Sequence, residues 1–212
     1  APKRADAGLP QAAFVFCCFN NMFKIEPEVF DIWMRLLHRI PGSVFWLLSD
    51  NDAARNNLRR EAVARGVAAE RLIFATFLPF AEHLARYALA DLFVDTFHYG
   101  AHTTAADALW CGLPVLTCLG ETMASRQAAS IVNAAGLPEM IVTSHREYEE
   151  RAAHLANHPA ELAMIRARLQ AGRENGLLFD TEGRVREIER AYETMCSFFA
   201  AAAPTESFTV SP

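Results

Sequence analysis

Short apolar runs alternate with amphipathic segments along most of this chain, and that alternation constrains its fold more than any other feature. Ala12–Cys18, Val44–Ser49, Leu72–Thr76, Asp91–Asp95, Pro114–Cys118 and Glu139–Val142 read as six short strands. Helices are expected between them over Glu26–Ile40, Asp52–Arg65, Phe80–Ala90, Thr103–Cys111 and Thr122–Ala135. In the first helix Val29, Phe30, Trp33, Leu36, Leu37 and Ile40 recur at helical spacing. Pro27 falls in its first turn, where a missing N–H does no harm, and Pro41-Gly42 stops it. Gly66, Gly112 and Gly136 close later helices. Right-handed crossovers then give an α/β fold: a Rossmann-like parallel sheet of about six strands with helices on both faces.

The alternation stops after Thr143. Arg146–Asn157, Pro159–Gly172 and Thr181–Ala203 read as three helices, and Pro204–Pro212 as a polar tail. The expected organisation is a linker over 1–11, a Rossmann-like lobe over 12–172, a helical appendage over 173–203 and a disordered tail over 204–212.

Charge excludes some partners. The formal net charge is −5 and no long Lys/Arg run occurs, which argues against nucleic-acid or anionic-membrane binding. No apolar run reaches the length of a membrane-spanning helix. Ala1-Pro2-Lys3-Arg4 has no apolar stretch after it, so a signal peptide is not expected, and the missing Met suggests a processed chain or a piece of a larger one. Cys17, Cys18, Cys111, Cys118 and Cys196 are odd in number and lack C-x-x-C spacing, as for free thiols in a reducing, cytoplasmic setting. The basic residues are 18 Arg and only two Lys, Lys3 and Lys24, a bias most simply read as codon usage.

In an open parallel sheet, ligands bind beyond the carboxyl ends of the strands. After the fourth strand, His102-Thr103-Thr104 stands at a helix start, where unpartnered N–H groups and the helix dipole favour an anion. Asp107, one turn on, faces the same way and suits a sugar's vicinal hydroxyls. A simple cap and a solvated carboxylate explain the same pattern. Lys24, after the first strand, could neutralise a diphosphate, or be a solvated loop lysine. His83 and Arg86 share a helix face and, with Phe80, could pack against a base, or form a surface pair. His98-x-x-x-His102 has no evident third ligand, so no metal is expected. No G-x-G-x-x-G or Walker lysine motif follows any strand, which weakens NAD, FAD and P-loop readings.

These motifs occur together with Cys18-Phe19-Asn20-Asn21-Met22-Phe23-Lys24-Ile25-Glu26-Pro27, Ala90-Asp91-Leu92-Phe93-Val94-Asp95-Thr96, His102-Thr103-Thr104-x-x-Asp107-Ala108-Leu109-Trp110 and Gly120-Glu121-Thr122-x-Ala124-Ser125-Arg126. In that combination, from about Ala12 to Ala200, the chain resembles the C-terminal catalytic lobe of the O-linked N-acetylglucosamine transferase family, in its bacterial branch. The resemblance implies one lobe of a glycosyltransferase B-type fold, about half of a two-lobed enzyme. It implies that Lys24 contacts the diphosphate and supports departure of UDP. His102, Thr103 and Thr104 would bind phosphate, Asp107 the ribose, His83 and Arg86 the uracil side, and the Leu78 backbone the base. Asn21 and Phe80 stand where animal members carry a nucleotide-touching glutamine and a lysine. Glu121 and Arg126 receive no role beyond helix capping and lobe packing.

The implied function is the UDP-sugar-binding half of an inverting transferase that moves N-acetylglucosamine from UDP-GlcNAc to Ser/Thr hydroxyls without a metal. An N-terminal lobe, helical (TPR-like) repeats and a protein acceptor would be its partners, and this piece alone would be inactive. A relative using UDP-glucose or an asparagine acceptor, and a non-catalytic UDP-binding or scaffolding module, are the alternatives.

Overall fold

The structure is a computed structural model that describes residues 2–49 and 51–210; Ala1 of the expected linker and Ser211-Pro212 of the expected tail lie outside the described residues. Among the described residues, six strands form one sheet: β1 (Val15–Cys18), β2 (Val44–Leu48), β3 (Leu72–Ala75), β4 (Leu92–Val94), β5 (Val115–Cys118) and β6 (Ile141–Val142). All pairings are parallel, in the order β3-β2-β1-β4-β5-β6. The strands are almost continuously apolar because helices cover both faces. Phe16, Cys17, Phe45, Leu47, Phe93, Val115 and Leu116 are completely buried.

The helices are α1 (Pro27–Arg39), α2 (Asp52–Ala64), α3 (Phe80–Arg86), α4 (Thr103–Trp110), α5 (Met123–Ala134), α6 (His145–Asn157), α7 (Pro159–Asn175) and α8 (Thr181–Ala200). The apolar stripe of α1 packs inward, with Trp33 stacked on Phe45 at 4.7 Å between ring centroids. Trp33 also donates its indole N–H to the Tyr148 hydroxyl of α6 at 3.3 Å, and that hydroxyl donates to the main-chain carbonyl of Asp95 at 2.8 Å. This buried relay ties α1 and α6 to the end of β4.

Several boundaries differ from expectation. The first strand begins at Val15 rather than Ala12. The helix expected over Phe80–Ala90 is divided: α3 ends at Arg86, and Tyr87–Leu89 tightens into a 3-10 turn that buries Tyr87 and leads the chain into β4. Helix α7 runs past Gly172 to Asn175. Residues 2–11, read as a linker, pack on the domain. Arg4 donates to the carbonyls of Leu89 and Ala13, at 3.0 and 2.8 Å, and pairs with Asp91 at 2.8 Å, while Leu9 is buried.

The G-E-T-x-A-S-R segment is a capping device. Thr122 caps α5, accepting from the Ser125 N–H, and the Ser125 hydroxyl accepts in return from the Thr122 N–H at 3.0 Å. Arg126 donates to the Gly120 carbonyl at 2.9 Å. A Cβ on Gly120 would lie 2.2 Å from the Ser125 hydroxyl oxygen, so the turn has room only for glycine. Helix α8 buries none of its residues, and its Val185, Ile188, Tyr192, Met195 and Phe199 are exposed.

Candidate functional site

The sheet order places a topological switch point between β1 and β4, whose connections leave toward opposite edges. The loops after these two strands carry most of the residues singled out above. They meet at Lys24, whose ammonium donates to the Gly100 carbonyl at 2.9 Å and sits 3.7 Å from the centroid of the Tyr99 ring. Lys24 is held in a 3-10 turn, Met22–Lys24, capped by the exposed Asn21, whose side chain accepts from the Phe23 N–H.

Helix α4 starts at the end of the β4 loop. Its first main-chain bonds run from Ala105 and Ala106 to the His102 carbonyl. The N–H groups of Thr103 and Thr104 therefore precede the intrahelical ladder and are open to an anion. His102 is the N-cap but makes no side-chain cap, and its Nε2 is buried without a hydrogen-bond partner among the described residues. Thr104 lines a cleft of about 390 Å³ with Phe19, Asn21, Met22, Ser49 and Phe77. Asp107 lies one turn further along α4, half-buried, and burial raises its carboxyl above the usual range.

Of the side chains after β3, Phe77 reaches this cleft. Phe77, Leu78 and Phe80 are exposed. Arg86 is not one half of a surface pair, because the fold turns it inward. It is only 4% exposed, donates to the Thr76 carbonyl at 2.7 Å, bonds His83 Nδ1, and lies 4.6 Å from the Phe19 ring centroid. Its immediate effect is to fix His83. With Nδ1 accepting from Arg86, the proton sits on Nε2. Burial, then the nearby guanidinium, push the His83 imidazole down to about 4, so it is neutral at pH 7. A larger cavity, about 560 Å³, lies between the 2–7 segment, Trp46, Phe74, Leu78 and Arg86. It does not reach the α4 N-terminus, whereas the smaller cleft does, at Thr104.

Three participants were not anticipated: Asn20, Asp95 and Gly100. Asn20 donates to the Asp95 carboxylate at 2.9 Å, and Gly100 offers its carbonyl to Lys24. Each stands just beyond a strand or inside the loop that leads to α4, but no local pattern says that these loops are neighbours. His98 is exposed and paired with Glu26. Burial lowers Lys24 while Asp95, then Cys18, act to raise it.

Sheet order, switch-point cleft and appended helices define the class: a Rossmann-like lobe of the two-lobed B-type glycosyltransferase fold. Within that class the chain belongs to glycosyl transferase family 41, whose model matches residues 2–188. It is 40% identical over 210 residues to the probable UDP-N-acetylglucosamine–peptide N-acetylglucosaminyltransferase SEC of Arabidopsis thaliana, a match covering 99% of this chain and 22% of that protein. The corresponding transferase of Caenorhabditis elegans is 34% identical, over 98% of this chain and 18% of its own length. Among solved structures, a mutant O-GlcNAc transferase of Thermobaculum terrenum superposes with a TM-score of 0.82 at 34% identity, over 86% of this chain and 36% of that one. Sucrose-phosphate synthase of Thermosynechococcus elongatus, at 19% identity and a TM-score of 0.58, shares the fold alone. The chain spans about a fifth of the length of the curated relatives it matches.

Proposed function

We propose that this chain is the donor-binding C-terminal half of an inverting transferase that moves N-acetylglucosamine from UDP-GlcNAc to Ser or Thr hydroxyls of proteins. The observation that carries the reading is the meeting of Lys24 with the β4 loop, one turn of chain before the open N–H groups of Thr103 and Thr104. An acceptor hydroxyl attacks the anomeric carbon from the face opposite UDP, and negative charge grows on the departing diphosphate. The Lys24 ammonium and the α4 N-terminus stabilise that charge, a preorganised electrostatic effect of the kind that dominates many enzyme rate enhancements. These groups replace a metal ion in the proposal. Asp107 takes the ribose hydroxyls. Neutral His83, the Leu78 backbone, Asn21 and Phe80 receive the nucleoside, with Arg86 holding His83 in place.

The acceptor site and any general base are assigned to an N-terminal lobe, and helical repeats to the remainder of the full protein. The exposed apolar rim supports a covering lobe: Phe23 is 70% exposed, Phe77 61%, Phe80 67% and Met123 80%, all beyond strand carboxyl ends. Among the described residues no helix is long and apolar enough to cross a membrane. Free thiols at Cys17, Cys18 and Cys118, all buried, favour a reducing cytoplasmic setting, and the resemblance favours a bacterial source.

Calorimetry of this chain with UDP, with and without EDTA, tests the reading. Binding of equal affinity in both arms is expected, and a folded sample that does not bind UDP would overturn it. One second reading is a UDP-binding module without activity of its own. Sugar transfer to peptides by the full-length protein separates the two, and UDP-glucose as competing donor tests the sugar.

A further inference from the structure

Asp95 directly follows β4 and is completely buried. Its Oδ1 accepts from Asn20 Nδ2 at 2.9 Å and from the main-chain N–H groups of Thr96 and Ala101 at 2.8 and 2.7 Å. Its Oδ2 accepts from the Thr117 hydroxyl of β5 at 2.9 Å. The donors come from the ends of three adjacent strands and from the loop that leads to α4. Asn20 also donates to the Thr96 hydroxyl, which donates to the Tyr99 carbonyl. The 96–101 loop is thus wound around one carboxylate, so closely that a Cβ on Gly100 would come within 2.9 Å of Asp95 Oδ2. Gly100 is the residue whose carbonyl receives Lys24.

We propose that Asp95 is the positioning residue of the anion cradle: it clips the loops after β1 and β4 together, fixes Gly100 as the seat of Lys24, and is the buried counter-charge that keeps the Lys24 ammonium charged in a partly dry position. Its consequence for UDP rests on the reading of Lys24 given above. A buried carboxylate that accepts four hydrogen bonds needs no proton of its own to satisfy its lone pairs. Burial drives Asp95 up, and the bonds from Thr117, Asn20, Ala101 and Thr96 oppose it. Cys18 on β1, Cys118 on β5 and Tyr148 on α6 also face this pocket, and the Tyr99 phenol ring lies against Lys24 itself, its centroid 3.7 Å from the ammonium. Burial pushes Cys118 up to about 11 and raises Cys18 and Tyr148, so all three are neutral at pH 7. Asp95 is the buried carboxylate among these groups.

The chain has only two lysines, so an NMR pH titration of lysine side chains shows Lys3 and Lys24 alone, and Lys24→Arg assigns them. Asp95→Asn keeps an oxygen for the three Oδ1 donors and turns an amide toward Thr117, whose hydroxyl can accept instead. Lys24 is expected to titrate roughly one pH unit lower in Asp95→Asn while Lys3 stays put. The high-pH loss of UDP affinity should move down with it. A merely structural role would leave both where they are, and an unmoved Lys24 overturns the proposal. If Asp95→Asn does not fold, Gly100→Ala pushes the carboxylate from its seat. Lys24 should then titrate at a different pH, with UDP affinity down about tenfold, and no change in either measurement overturns the proposal. A parent chain that fails to bind UDP would sink the nucleotide reading only, because the lysine titration needs no ligand.

Discussion

The Lys24 ammonium and the Gly100 carbonyl, 76 positions apart in the chain, are joined by a hydrogen bond of 2.9 Å across the switch point of the sheet. That contact gives the cation a fixed position without neutralising it. A diphosphate arriving at the α4 N-terminus would add a charge-assisted bond to Lys24, worth about 1.5–3 kcal/mol. Lys24→Ala should therefore weaken UDP binding about 10- to 100-fold by calorimetry.

Asp107 is predicted to act on the ribose and not on the phosphates. Asp107→Asn should lower UDP affinity by about tenfold, the effect of one or two hydrogen bonds to a charged group, and leave pyrophosphate binding unchanged or slightly stronger. Equal losses for both ligands would place the carboxylate elsewhere.

His83 should make the fold acid-sensitive. Its folded imidazole is pushed down to about 4, whereas the unfolded ring returns to its ordinary value of 6.5. The unfolded chain takes up the proton first, so this contribution is fully present above pH 6.5 and is lost as pH falls toward 4. Solvent screening of a partly exposed ring limits the effect to about 1 kcal/mol. Thermal melts at pH 7 and 4.5 should therefore converge in His83→Gln relative to the parent.

Thr122→Ala removes the α5 cap and should destabilise the fold by about 1 kcal/mol, measured by urea unfolding. Gly120→Ala should destabilise it by about 1–3 kcal/mol through overpacking against Ser125. Neither should alter UDP affinity if the segment only caps the helix.

Tyr148→Phe strips the hydroxyl that bonds both Trp33 and the Asp95 carbonyl. Two buried groups lose their partner, so a loss of about 1–3 kcal/mol is expected in denaturant melts.

Element type was largely legible because it depends on local patterns. The apolar spacing of Val29, Phe30, Trp33, Leu36 and Leu37 describes one buried face of α1, and each residue is buried there. Boundaries depart from local pattern where a tertiary contact sets them. Phe80–Ala90 has helical composition throughout, but burial of Tyr87 and the turn into β4 break it at Arg86. Residues 2–11 look like a tether in sequence, because nothing local reveals that Arg4 reaches Leu89 and Asp91.

The sequence by itself determined the α/β class and picked out Lys24, the His102–Thr104 helix start and Asp107, because strand ends and helix N-termini are readable from periodicity and capping residues. Only the tertiary structure decided which loops meet. Strand β1 lies between β2 and β4, and no short-range pattern encodes that neighbour. That placement brings Asn20 to Asp95 and Lys24 to Gly100, and it turns Arg86 inward to hold His83. The physical reason is that hydrophobic periodicity is a local property of the chain, whereas a buried carboxylate and the loops wound around it are selected by long-range packing.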